Sequence, residues 1–146
     1  MQNKLNDGIE FSKGDAVFRV MTNNAATSLT DGTIVCLDTS DSEGKSVGLP
    51  ATLADPTVFG VVVHPKGHGY TYADQADCLV CVDGVCKVMV DGTENITAGN
   101  HISVISTTGV GNLYSSALSC TIGTALEAYT TNDDNGYINM YVRKGG

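Results

Sequence analysis

The apolar residues of this chain fall in short runs separated by small polar turns, and one such arrangement occurs twice. Leu29-Thr30-Asp31-Gly32-Thr33-Ile34-Val35-Cys36-Leu37 returns as Ile96-Thr97-Ala98-Gly99-Asn100-His101-Ile102-Ser103-Val104. Each copy is followed by a second apolar run bearing one glycine, Thr57-Val58-Phe59-Gly60-Val61-Val62-Val63 and Cys120-Thr121-Ile122-Gly123-Thr124-Ala125-Leu126. A glycine turn that launches an apolar run is a strand signal, and its repetition predicts a duplicated scaffold of strand pairs.

The same pattern predicts strands over 15–21, 32–38, 58–63, 77–82, 84–90, 101–106, 110–114, 120–127 and 136–143. Asp31-Gly32, Asp91-Gly92, Ala98-Gly99-Asn100, Thr107-Thr108-Gly109 and Asp133-Asp134-Asn135-Gly136 supply the turns between them. Asp83-Gly84, between two β-rich runs, suits either a two-residue hairpin or one long strand bent at a bulge, and the bent strand is favoured. In the last run Ile138, Met140 and Val142 share one face, leaving Tyr137, Asn139, Tyr141 and Arg143 on the other. Tyr137, Tyr141 and Arg143 are therefore candidate partner-binding residues, since Tyr and Arg are favoured at buried contacts.

Residues 1–13 break the pattern. Leu5, Ile9 and Phe11 stand isolated among polar neighbours, too sparse to make a core but able to dock on a partner or along an adjacent protomer. The expected organisation is an extended N-terminal arm, 1–13, followed by one β domain, 14–146, in an all-β small barrel or sandwich.

Composition agrees. The 146 residues suit one domain and include 17 glycines and no Trp, with Val and Thr abundant. Eight basic against 16 acidic residues give a net charge of -8, which opposes a nucleic-acid partner. No apolar run approaches a membrane span, and no signal-peptide core follows Met1, so the expectation is a soluble, unexported protein with no membrane partner.

Candidate chemistry is sparse. The five cysteines are expected as reduced core residues. Cys78-x-x-Cys81 invites a zinc reading, but positions three apart on a strand point to opposite faces, and Leu79-Val80 is no knuckle turn. His64 and His68 have the spacing of a helical metal pair, which Pro65, Gly67 and Gly69 forbid. No nucleophile elbow, phosphate-binding loop or carboxylate pair of distinctive spacing is present. The sequence therefore predicts no catalytic residue, no metal and no cofactor. Asn95-Ile96-Thr97 fits a glycosylation sequon, but without export it is a turn.

The ordered succession Gly14-Asp15-Ala16-Val17, Asp31-Gly32-Thr33-Ile34-Val35, Phe59-Gly60-Val61-Val62, Val82-Asp83-Gly84-Val85, Thr97-Ala98-Gly99-Asn100 and Ile122-Gly123-Thr124-Ala125-Leu126-Glu127-Ala128 resembles the small capsid decoration (cement) proteins of tailed bacteriophages. The resemblance covers roughly residues 14–143 and rests on the order and spacing of the motifs, each of which is only a turn plus a strand. Asn100 stands where that family tends to Asp, the cysteine content departs from the family pattern, and the stretch from Pro65 to Asp74 is longer.

The resemblance implies a structural virion protein on the outer surface of the capsid, commonly a homotrimer, whose partner is the major capsid protein and which clamps neighbouring subunits. A head-fibre base or a tail-associated β domain shares most of these features. A carbohydrate-binding module is the more remote alternative, because such modules gather aromatics on one face and here three Phe and six Tyr are dispersed.

Overall fold

The computed structural model describes residues 16–52, 55–67, 69–105, 107–113, 120–130 and 135–144. The expected arm, with Leu5, Ile9 and Phe11, lies outside the described residues. The fold is all-β. Its strands are β1 (Val17–Asn23), β2 (Leu29–Thr30), β3 (Ile34–Leu37), β4 (Ser46–Gly48), β5 (Val58–Val63), β6 (Thr71–Tyr72), β7 (Asp77–Asp91), β8 (His101–Val104), β9 (Gly111–Leu113), β10 (Thr121–Ala125) and β11 (Asn135–Arg143). No described helix is long and apolar enough to cross a membrane.

Asp77–Asp91 is one strand, bent where Gly84 adopts φ 109°, rather than a hairpin. That strand organises the molecule. Its first half closes a five-stranded ring in the order β1-β4-β3-β5-β7, sealed by antiparallel pairing of β1 with β7. Its second half belongs to a ring in the order β7-β11-β10-β8-β9, sealed by the parallel pairing of Val90 with Gly111. The expected barrel is thus present as two rings sharing one wall.

The two rings match register by register. Met21 opposite Cys78 corresponds to Val88 opposite Ile138. Val35 opposite Gly60 corresponds to Ile102 opposite Gly123, and both pairings shift register one residue away. Leu37 opposite Val47 corresponds to Val104 opposite Gly111, and Val62 opposite Val80 to Ala125 opposite Met140. Beside the rings, Leu29 pairs with Tyr72 as Ile96 pairs with Tyr129.

The turns match too: Thr33 N–H donates to Thr30 O as Asn100 N–H donates to Thr97 O, each at 3.1 Å. Gly60 and Gly123 show why each copy keeps its glycine. A Cβ at either would overlap the facing backbone carbonyl, of Cys81 or of Tyr141, so only glycine allows that approach.

Burial distinguishes the copies. Met21, Val35, Val47, Val62, Cys78 and Val80 fill the first barrel. The second is filled by their counterparts Val88, Ile102, Ala125, Ile138 and Met140, but this cluster continues into Ile34, Cys36, Val58, Val61 and Cys81, which belong to the first ring. By register those five correspond to His101, Ser103, Thr121, Thr124 and Tyr141 in the second ring. The apolar set on one copy and the polar set on the other explain why the first barrel docks on the second and not the reverse. Each aliphatic side chain so buried contributes about 1.5–3 kcal/mol.

Candidate functional site

The matched barrels expose what the scaffold does not need. After Val62 the first barrel takes residues 63–71 to reach Tyr72, whereas after Ala125 the second needs only 126–128 to reach Tyr129. The longer connection is an insertion on a barrel that closes without it. It carries a concentration of aromatic and cationic side chains.

Backbone bonds hold the inserted loop in place. His64 N–H donates to Asp31 Oδ1 at 2.8 Å, and Asp31 N–H donates to Tyr70 O at 3.0 Å, so one buried aspartate residue ties both ends of the loop to the first-barrel turn. Gly67 N–H returns to His64 O at 2.9 Å.

On that frame the His64 ring stacks on Tyr70 (5.3 Å between centroids) and lies tilted on Tyr72 (4.8 Å), while Lys66 Nζ sits 5.6 Å from the centre of the Tyr70 ring. Lys66 N–H donates to His64 Nδ1. Tyr72 anchors the stack: its hydroxyl donates to Val63 O at 2.7 Å, and burial raises its pKa above the usual phenol value. Tyr70 remains 48% exposed. A preordered stack of Tyr, His and Lys suits a contact hot spot, because little side-chain freedom is left to lose on binding.

The residues singled out on the last strand separate. Tyr137 faces the seam between the barrels: its hydroxyl donates to Asp31 O at 3.2 Å, its ring stands where a Gly32 side chain would be, and burial raises its pKa. Tyr141 and Arg143 lie together on the half-exposed surface at the bend of β7. The Tyr141 hydroxyl donates to Asp83 Oδ1 (3.3 Å), Arg143 Nε pairs with Asp83 Oδ2 (3.7 Å), and the guanidinium lies 5.8 Å from the Tyr141 ring. Leu5, Ile9, Phe11 and His68 lie outside the described residues.

A cleft of about 430 Å³ is lined by Cys36, Asp38, Asp55 and Thr57 among others. Burial pushes the Cys36 thiol up to about 12, so it is no nucleophile at neutral pH. Asp55 accepts bonds from the Ala51 and Thr57 N–H groups and from the Thr57 hydroxyl. It braces the turn before β5.

Cys78 and Cys81 belong to different core clusters, on opposite sides of β7. Among the described residues no three His, Cys, Asp or Glu side chains are grouped to hold a metal. No protein-family model matches the chain, and no curated protein matches it.

Proposed function

We propose that this protein is a structural component of a tailed-phage virion, bound as a homotrimer to the outer surface of the capsid and clamping neighbouring major capsid subunits. The observation that carries the reading is the long connection between β5 and β6, grown on one of two matched barrels and stiffened by Asp31, Tyr70 and Tyr72 around His64. Two barrels sharing a wall make a stiff body, and the loop presents a compact contact on it. Tyr141 and Arg143 offer a second. The motif order from Gly14 to Ala128 supports the same reading, and the net charge of -8 suits a place outside the shell, away from packaged nucleic acid. The role involves no reaction.

Modest affinity at each contact suffices, because a lattice multiplies it. Mass spectrometry of purified particles should find the protein at a copy number equal to, or a simple fraction of, that of the capsid protein. Replacing residues 63–71 by residues 126–128, the connection of the second barrel, should leave the fold intact by circular dichroism and weaken binding to particles lacking the protein. Absence from particles, or one copy per particle, would sink the reading; undiminished binding by the shortened variant would remove the loop from it.

A further inference from the structure

We infer that a groove beside β1 is a socket for residues 5–11 of the chain's own N-terminal segment. The groove, of about 560 Å³, is lined by Phe18, Arg19, Val20, Leu37, Lys45 and Phe59 among others. By register Arg19, Leu37 and Phe59 correspond to Cys86, Val104 and Ile122 of the second barrel. There the same place is filled. Val104 and Ile122 are fully buried, with Cys86 packed beside them, in one cluster with Ile34, Cys36 and Val58 of the first barrel. The incoming segment is held by Met89 N–H to Gly32 O (2.9 Å) and by Ile34 N–H to Gly109 O (2.8 Å). In the first barrel the counterparts of Met89 N–H and Gly109 O, Thr22 N–H and Lys45 O, bond directly to each other at 2.8 Å, so the two places agree in side-chain register while the first-barrel opening lies beside Val20.

In the first barrel Leu37 and Phe59 are only half-buried, and Val20 is 66% exposed. The backbone is open as well. Thr22 N–H donates to Lys45 O, and strand alternation points Val20 N–H the same way, but β4 pairs only with Thr22 and Asn23 and does not reach it.

A second copy's second barrel does not suit this socket. Ser103 and Thr121, the counterparts of Cys36 and Val58, are polar and already buried. The floor is apolar and the rim carries Arg19 and Lys45, the latter paired with Glu43 at 2.9 Å on the exposed surface, which suits an extended segment with apolar side chains and a carboxylate for Arg19. Leu5-Asn6-Asp7-Gly8-Ile9-Glu10-Phe11 has that chemistry. It is tethered through Ser12-Lys13-Gly14-Asp15 to Ala16, which packs against the core with Phe18. So short a tether gives an effective concentration of roughly millimolar, favouring the chain's own segment over a neighbour's.

Hydrogen exchange by NMR on the full chain and on a variant lacking residues 1–13 tests this independently of any capsid. The Val20 amide should exchange at least about tenfold more slowly in the full chain. That difference should not change on dilution. It should vanish in the full-length Arg19→Glu/Lys45→Glu variant and return when Asp7→Lys and Glu10→Lys are added. Equal exchange in full-length and truncated protein overturns the inference; so does protection that fades on dilution, which places another copy in the socket.

Discussion

Ile34 of the first barrel occupies the space that Gly111 leaves in the second: a Cβ on Gly111 would lie 3.0 Å from Ile34 Cδ1 and 2.8 Å from Ile102 Cγ2. The counterpart of Gly111 is Val47, fully buried in a barrel that receives no such side chain. Gly111→Val should therefore expel Ile34 and cost about 1–3 kcal/mol by overpacking. Adding Ile34→Ala should recover part of that loss, with a coupling above about 0.5 kcal/mol in a urea-denaturation double-mutant cycle. Strictly additive losses would mean the two residues do not compete for one space.

Asn23 is fully buried where the second barrel has Val90. Its amide donates to Thr27 O (2.9 Å), Tyr72 O (3.2 Å) and Ala73 O (3.1 Å), and its oxygen accepts from Ala25 N–H (2.9 Å). Asn23→Ala should lower unfolding free energy by about 2–3 kcal/mol. Asn23→Val should not restore it, because the loss lies in stranded carbonyls rather than in volume. Recovery by valine would refute that account.

Burial raises the thiols of Cys36 to about 12 and of Cys78 to about 11. At pH 8 both should stay unalkylated by iodoacetamide in the native protein and react promptly in urea, as followed by peptide mass mapping. Chelator should leave the Tm unchanged, since stability here comes from packing.

Three aspartates are expected to shape the acid limit. Bonds from the Ser40 hydroxyl and the Asn24 amide lower Asp38, and bonds from Glu43 N–H and the Ser46 hydroxyl lower Asp41. At Asp55 burial pushes upward, but the Thr57 and Ala51 bonds together outweigh it and the pKa falls. With folded values below the ordinary 3.8, their contribution is present above that pH and is lost as pH falls through the folded values. The Tm should stay level from neutral pH towards 5 and drop below about 4. Asp55→Asn should make the acid limb shallower; an unchanged limb would assign it to other groups.

The sequence makes part of this legible. The repeated turns at Gly32 and Gly99, and the glycines at 60 and 123, mark the duplication because backbone geometry demands them in both copies. The match of β1 to the second half of β7 is hidden, since Asn23 and Val90 differ in chemistry although they share a place. β2, β4 and β6 are too short for alternation to show. The pairing of Leu29 with Tyr72, twin to Ile96 with Tyr129, is masked by the inserted loop.

Of the candidate contacts, Tyr141 and Arg143 follow from alternation alone. Tyr137 follows the same alternation, yet its ring meets Gly32 far away in the chain. The stack on His64 also escapes local patterning, because it depends on Asp31, which only the tertiary fold brings near.

Because β7 is a wall of both barrels, no linker among the described residues separates the halves so that a pull on one could be absorbed. Tension applied at the inserted loop passes along a single backbone to the far barrel, as load passes along a shared beam. The two halves should then yield together, in one calorimetric transition and one rupture event under force, rather than peel apart in sequence.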